Sequence, residues 1–385
     1  MQSLKIALVV PGGFDRPGAP EPERAIPALH ALVRHLSAAH EVHVFCTDFD
    51  ERGGEWSRLG AEIHDPGKVP PSRLPLQRTI ERARRLFLAL RAASARAPFQ
   101  VMHAFWVDGN GAAAAMCAAA LQLPFVASVG GGECVSLPAI GYGNARFASQ
   151  RLATRLVLAR ANVVTVGSAQ ARNQVPAAGV FVIPLGAERS AFEAARARAA
   201  GPPWRLIHVA NQNAVKDPWT TLDAFHRLAK SDQDITLDWF GMDTLEGTVT
   251  ARARSLGLST RITFHGAAEH TIIARALRSA HLHIVSSHHE SQCVAVLEAA
   301  LAGVPTVGTR VGLVADLAPH AAIAVPVGDA EALAAAVQST LMDTQRRDEL
   351  AHAAQQYALA NDATSTASRF EALYEEARRL HSSKR

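Results

Sequence analysis

Short apolar runs alternate with helix-period segments along nearly all of this 385-residue chain, and that alternation restricts the possible fold more than any other feature. Strand-like runs fall at 4–10, 41–46 (EVHVFC), 100–105 (QVMHAF), 124–129 (PFVASV), 162–166 (NVVTV) and 180–184 (VFVIP). Helical patterns fill the intervals, notably 22–38, 78–96, 110–122 and 145–160. Runs that are apolar throughout suit strands buried on both faces. Their alternation with helices predicts an α/β fold built on a parallel sheet covered on both sides. The pattern stops at 191–203 and restarts at 204–210, 235–241, 261–266, 281–287, 304–308 and 321–327. A chain of this length is too long for one ordinary core. Two doubly wound domains are therefore expected, 1–190 and 204–363, with 191–203 as linker and a ligand cleft at the carboxyl ends of the strands. The tail, 364–385, holds an amphipathic helix over 364–381 with Phe370, Leu373 and Tyr374 on one face.

Several function classes drop out early. The four cysteines, Cys46, Cys117, Cys134 and Cys293, include no C-x-x-C pair. Neither a disulfide framework nor a zinc-finger pattern is indicated, and a reducing cytoplasm is the expected compartment. The first strand lacks a basic leader and a cleavage site, so no signal peptide is expected. The longest apolar stretch, 111–129, is mostly alanine and is broken by Pro124; it reads as helix, turn and buried strand, not as a membrane span. Aromatic residues make up 6% and are not interleaved with basic ones, which argues against nucleic acid. The first 190 residues carry 20 Lys and Arg against 14 Asp and Glu, the remainder 19 against 21. The excess concentrates at 78–96, where Arg78, Arg82, Arg85 and, less regularly, Arg96 lie apart from the Leu and Phe positions. Such a helix is either a solvated face or a patch that rests on anionic lipid.

The chemistry concentrates in SSHHESQCVAVLEAALAGVPTVGTRVG, 286–312. It reads as a strand end, a loop, a helix and a second strand. Glu290 and Glu298 stand eight positions apart; in helix, that separation is roughly 12 Å along the axis and nearly one face. A helix N-terminus between them offers amide N–H groups and a positive dipole end to a phosphate. Carboxylate, anion site and carboxylate together suit sugar hydroxyls, a diphosphate and ribose hydroxyls.

This stretch, with Ala302-Gly303-Val304-Pro305 and Gly308-Thr309-Arg310-Val311-Gly312 after it, closely resembles the E-x7-E segment of glycosyltransferase family 4. Those enzymes are retaining and have the two-domain GT-B fold, with a terminal helix that commonly crosses back to the first domain. The resemblance implies that Glu290 contacts the donor sugar and Glu298 the ribose, with amides of Ser291, Gln292, Cys293, Val294 and Gly312 near the phosphates. HVANQNAVKDPWTTL resembles the family segment in which an arginine and a lysine grip the diphosphate. Lys216 matches the lysine; Asn211 stands at the arginine position, an amide without charge. Gly130-Gly131-Gly132-Glu133 aligns with a family loop whose histidine lies near the reacting sugar, and here that position is Gly130. His103, in VMHAFW, is the candidate to fill part of the vacated space. Gly12-Gly13 and Gly130–Glu133 are the expected acceptor-side loops, where glycine lets backbone approach a ligand.

The sequence therefore points to a metal-independent hexosyltransferase without a cofactor. Its partners are a nucleotide-sugar donor and a glycan, lipid-linked or small-molecule acceptor in glycan, polysaccharide or glycolipid synthesis. His281, His283, His288 and His289 lack a zinc-binding spacing. Cys293 reads as a small packing residue. Two alternatives remain open: a nucleotide-sugar epimerase on the same fold, and a silent module that binds glycan or a partner enzyme.

Overall fold

The computed structural model describes residues 2–16, 26–49, 53–70, 75–192, 201–231 and 234–383. The chain divides into two compact units, one made of 1–167, 171–185 and 363–385, the other of 168–170 and 186–362.

The first unit runs β1 (Lys5–Val10), α1 (Pro27–Ser37), β2 (Glu41–Cys46), β3 (Gly54–Arg58), β4 (Ala61–Asp65), α2 (Pro75–Ala93) and β5 (Val101–Phe105). It continues with α3 (Gly109–Ala120), β6 (Phe125–Val129), α4 (Ala148–Arg160), β7 (Val163–Val166), the short α5 (Ala169–Arg172), whose first two residues are assigned to the second unit, and β8 (Phe181–Val182). The eight strands lie in the order β3-β4-β2-β1-β5-β6-β7-β8, parallel except for the antiparallel β3–β4 pair. Strands β1, β5, β6 and β7 are buried at every residue, which is why the sequence reads as unbroken apolar runs there. One face packs on α2 and α3 through Leu86, Leu90 and the alanines 112–115; the other packs on α1 and on α13 (Ala363–Ser382). Phe370 and Tyr374 of α13 are fully buried in this unit.

The second unit holds β9 (Trp204–Val209), α6 (Pro218–Lys230), β10 (Ile235–Phe240), α7 (Thr248–Ser255), β11 (Ile262–Gly266) and α8 (His270–Ser279). Then follow β12 (Leu282–Val285), α9 (Val294–Leu301), β13 (Thr306–Thr309), α10 (Gly312–Leu317), β14 (Ala322–Val325), α11 (Ala330–Met342) and α12 (Thr344–Ala360). Its six strands are all parallel, in the order β11-β10-β9-β12-β13-β14. The order reverses between β9 and β12, so the loops after these strands lie at the switch point where doubly wound sheets bind ligands.

Some expectations change. The β3–β4 hairpin was not anticipated, because β3 (GEWSR) is polar and half exposed, as an edge strand can be. The strand at 180–184 shrinks to two residues. Residues 193–200 of the expected linker and 22–25 of the first expected helix lie outside the described residues. The arginine patch is also smaller than the composition suggests. Arg78 and Arg82 both reach Asp48 Oδ2 at 2.9 Å, Arg82 is buried, and Arg84 and Arg85 pair with Glu81. No helix among the described residues is long and apolar enough to cross a membrane.

Candidate functional site

In the second unit two loops are clamped together at the carboxyl ends of β9 and β12. The β9–α6 turn ends at Asp217, whose carboxylate caps α6 by accepting from Thr220 N (3.2 Å) and Thr220 Oγ1 (2.5 Å). Ser286, just past β12, donates to the carbonyls of Lys216 and Asp217 (2.7 and 2.9 Å) and accepts from Thr221 Oγ1 (2.8 Å). His288 N donates to Val215 O at 2.8 Å. These bonds set the backbone of Lys216 beside the loop that carries Glu290.

The two side chains meet: Lys216 Nζ lies 2.5 Å from Glu290 Oε1, which also accepts from Ser287 Oγ at 2.6 Å. Glu290 is buried, while Lys216 keeps a quarter of its side chain exposed.

The stretch from Ser286 to Cys293 is loop, and only from Val294 onward is the chain helical. The all-helical 12 Å spacing of the two glutamates therefore does not apply. Glu298 sits in the second turn of α9, buried, with Oε1 2.7 Å from His270 Nε2 at the start of α8. Cys293 caps α9 in the left-handed region at φ 73°, and the apolar site raises its thiol pKa. Half-buried, and with desolvation raising its thiol pKa, it is a packing group and not a nucleophile. Ser291 O accepts from Ser168 Oγ (2.7 Å), and Gln292 O from Leu313 N (2.8 Å), so the loop carbonyls are turned into protein. Gly312 adopts φ +49°; a Cβ there would stand 2.5 Å from Gln292 O and 2.8 Å from the Glu290 Cβ. Glycine is what brings the α10 N-terminus against the Glu290 loop. Asn211 accepts from Met242 N through Oδ1 (2.8 Å), which fixes the amide and leaves its NH2 group to donate to a ligand.

The first-unit residues are differently disposed. His103 lies in the middle of β5, fully buried, bonded to Tyr374 Oη (3.0 Å) and Ser128 Oγ (2.7 Å). Burial lowers its pKa to about 3, so it is a neutral core histidine. This corrects its candidacy beside a sugar: its nitrogens are spent on α13 and β6. Trp106, at φ 69°, turns its indole over the glycine loop instead; a Cβ on Gly130 would lie 2.9 Å from its Nε1. Glu133 faces inward and accepts from the amides of Gly130 (3.1 Å), Gly131 (2.6 Å) and Val107 (3.3 Å). Its carboxylate shapes the loop from within. Gly132 packs on Tyr142 and Gly12 on Phe49, while Gly13 O meets His30 Nε2 at 2.6 Å.

Three contributors escaped sequence reasoning. Asp217 has a legible signal, D-P-W-T, a cap followed by proline at the first helical position. Ser287 and His270 have none, since only the folded chain brings them to Glu290 and Glu298.

Comparison with known proteins matches residues 25–186 to the Glycosyl transferase 4-like domain and residues 191–357 to Glycosyl transferases group 1. Glycogen synthase of Mycobacterium tuberculosis is 28% identical over 181 residues, 46% of this chain and 44% of that protein. A phosphatidylinositol N-acetylglucosaminyltransferase component of Arabidopsis thaliana is 32% identical over 84 residues, 22% of this chain and 19% of that one. The matched region thus spans less than half the length of these curated relatives. Among solved structures, sucrose-phosphate synthase from Thermosynechococcus elongatus superposes with a TM-score of 0.77 at 18% identity, covering 97% of this chain and 98% of that one. The trehalose 6-phosphate synthase of Burkholderia multivorans gives 0.76 at 12% identity over the whole of both chains. Anabaena HepE, solved in complex with UDP-glucose, gives 0.69 at 16% identity over 97% and 99%. With one glycosyltransferase domain matched in each half and this fold, the chain belongs to the GT-B glycosyltransferases.

Proposed function

We propose that the chain transfers a hexose from a nucleotide-sugar donor to a hydroxyl acceptor with retention of configuration. The observation that carries this reading is the contact of Lys216 with Glu290 at the switch point of the second sheet, with Glu298 buried on the helix that follows. Lys216 offsets the charge that grows on the departing diphosphate, aided by the amides at the start of α9 and by Gly312. Glu290 orients the sugar hydroxyls, and Glu298 accepts from the ribose. Asn211 adds neutral donors where the family has an arginine. The departing phosphate oxygen takes the acceptor proton on the face it leaves, so no strong dedicated base is required. HepE, the Anabaena protein of similar fold, was solved with UDP-glucose; a uridine diphosphate sugar is accordingly the first donor to try.

A membrane-borne acceptor in envelope or glycolipid synthesis fits one further observation. Leu76, Ile80 and Leu88 are exposed on α2, and Leu152 and Leu156 on α4, with α3 packed against both helices. Arg151 and Arg155 flank the α4 leucines, an amphipathic dress suited to an anionic surface. Cosedimentation with anionic vesicles should rise with their charge and fall with salt; no binding at low salt removes the membrane reading.

The test of the main reading is a panel of UDP-, GDP- and ADP-sugars. One of them should raise the Tm and be consumed only with an acceptor present, giving a product of unchanged anomeric configuration. Consumption without acceptor indicates an epimerase, binding without consumption a silent module, and inversion refutes retention.

A further inference from the structure

We propose that His43, Glu62 and His64, at the edge of the first sheet, bind a divalent transition-metal ion of the zinc type. The site belongs to the first unit, the proposed donor residues to the second, and it is independent of the glycosyl-transfer reading. Its origin is a register coincidence. Strands β2 and β4 each carry an E-x-H triplet, Glu41-Val42-His43 and Glu62-Ile63-His64. They run parallel with His43 opposite Glu62 and Phe45 opposite His64, and the hairpin partner β3 sets Glu55 opposite His64. Side chains two apart, or directly opposite, share a sheet face. Glu41, His43, Glu62, His64 and Glu55 therefore stand on one face of three adjoining strands.

The bonding there is one-sided. His43 Nε2 reaches Glu41 Oε1 at 3.0 Å, and His64 Nδ1 reaches Glu55 Oε1 at 2.8 Å. A carboxylate only accepts, so these outward nitrogens carry the N–H, and the inward ones point into the space between the strands. Lys5 Nζ also lies 2.9 Å from Glu41 Oε1. The inward atoms, His43 Nδ1 and His64 Nε2, face each other at 2.8 Å. Glu62 Oε2 adds a third acceptor, 3.4 Å from His43 Nδ1 and 3.9 Å from His64 Nε2. All three ligand atoms fit within 4.8 Å of one another. Three converging acceptors need a cation. A single proton serves two of them; a metal serves all three.

Carboxylates that fix the tautomer of each ligating histidine are the usual support of such centres. Two nitrogens and an oxygen suit zinc, with water in the fourth position. Tetrahedral ligands about 2.0–2.1 Å from zinc stand roughly 3.3 Å apart. The Glu62–His43 spacing already matches that edge, and the two rings need part by only about half an ångström. Phe45 stacks on His64 and Phe99 meets His43 edge-on, so both rings are held in aromatic packing while Glu62 stays exposed as the point of entry. A bound ion would tie β2 to β4 and pin the hairpin at the sheet edge.

The full chain, stripped with a chelator, should bind one equivalent of Zn2+ in equilibrium dialysis and gain several degrees in Tm. Co2+ in its place should give the visible absorption of a four-coordinate site. Glu62→Gln, at an exposed position that the fold does not need, should weaken binding at least tenfold, and His64→Gln should abolish it. Circular dichroism of the stripped variants separates loss of the site from loss of the fold. Zn2+ retained at full affinity in Glu62→Gln overturns the proposal. So does wild-type protein without Zn2+ or Co2+ binding, which leaves a histidine pair sharing a proton.

Discussion

Lys216 and Glu290 are in contact, and the roles proposed for them should separate kinetically. The diphosphate gains charge as the glycosidic bond breaks, so a cation beside it counts for more in the transition state than in the bound ground state. Lys216→Ala should lower kcat by about 10²-fold or more, the scale of losing a preorganised electrostatic partner. Glu290→Ala should also lower turnover and blur the choice between donor sugars. It leaves Lys216 without its carboxylate, however, so affinity for the free nucleoside diphosphate should hold or improve. Calorimetry with the nucleotide beside turnover assays checks both; loss of nucleotide binding in Glu290→Ala means the donor lies the other way round. Glu298→Ala should weaken nucleotide and nucleotide-sugar alike, since ribose is common to both. A buried charge-assisted hydrogen bond is worth about 1.5–3 kcal/mol, or roughly ten- to hundredfold in affinity. Equal affinities in mutant and parent would remove Glu298 from the ribose. Both glutamates were legible as a pair in the sequence. Their companions Ser287 and His270 were not, because hydrogen-bond partners from other segments leave no local pattern.

Among the elements, α13 belongs to the core of the first unit although it closes the sequence of the described residues. Its Phe370, Leu373 and Tyr374 pack with Leu29, Val33 and Phe105, and Tyr374 is bonded to His103. The apolar face was evident from spacing alone; the histidine under it was not. His103 sits in an apolar run between Met102 and Ala104, where sequence cannot say whether an imidazole faces a ligand or a tyrosine. Phe370→Ala should destabilise the first unit by about 3–5 kcal/mol, the cost of an aromatic cavity. Urea denaturation read by the tryptophans of that unit, Trp56 and Trp106, measures it; a shift under 1 kcal/mol would mean the helix adds little to the core. The β3–β4 hairpin shows the opposite failure. Neither β3 (GEWSR) nor β4 (AEIHD) has the continuous apolar run by which the other strands announced themselves, and with them went the register that unites the two E-x-H triplets.

At the scale of the whole molecule, buried neutral histidines set the response to acid. Desolvation lowers His103 and His283 to about 3 and His208 to about 4, with the bond from His208 to Ile284 O opposing the shift in the last case. Their folded pKa values lie below the unfolded value near 6.5, so between about pH 6.5 and pH 3–4 the unfolded chain binds more protons. Stability is then fully present above pH 6.5 and falls as the pH drops, by up to about 1.4 kcal/mol per pH unit for each group. Denaturant midpoints at pH 7, 6 and 5 should fall in step; a flat profile would mean these rings have other partners in solution.

What the sequence determined by itself was the architecture: buried strands of a parallel sheet must be apolar throughout, helices must be amphipathic, and a chain this long must build two cores, whereas the division between them, expected at 191–203, falls at 185–186. It also offered Lys216, Glu290 and Glu298 as candidates, because their spacing is local to single strand–loop–helix segments. Tertiary structure alone decided that Lys216 and Glu290 touch, that Glu133 and His103 turn inward, and that two distant histidines meet at a sheet edge. Each of those outcomes depends on strand order and register, which are fixed by how faces pack and are written in no single stretch of chain.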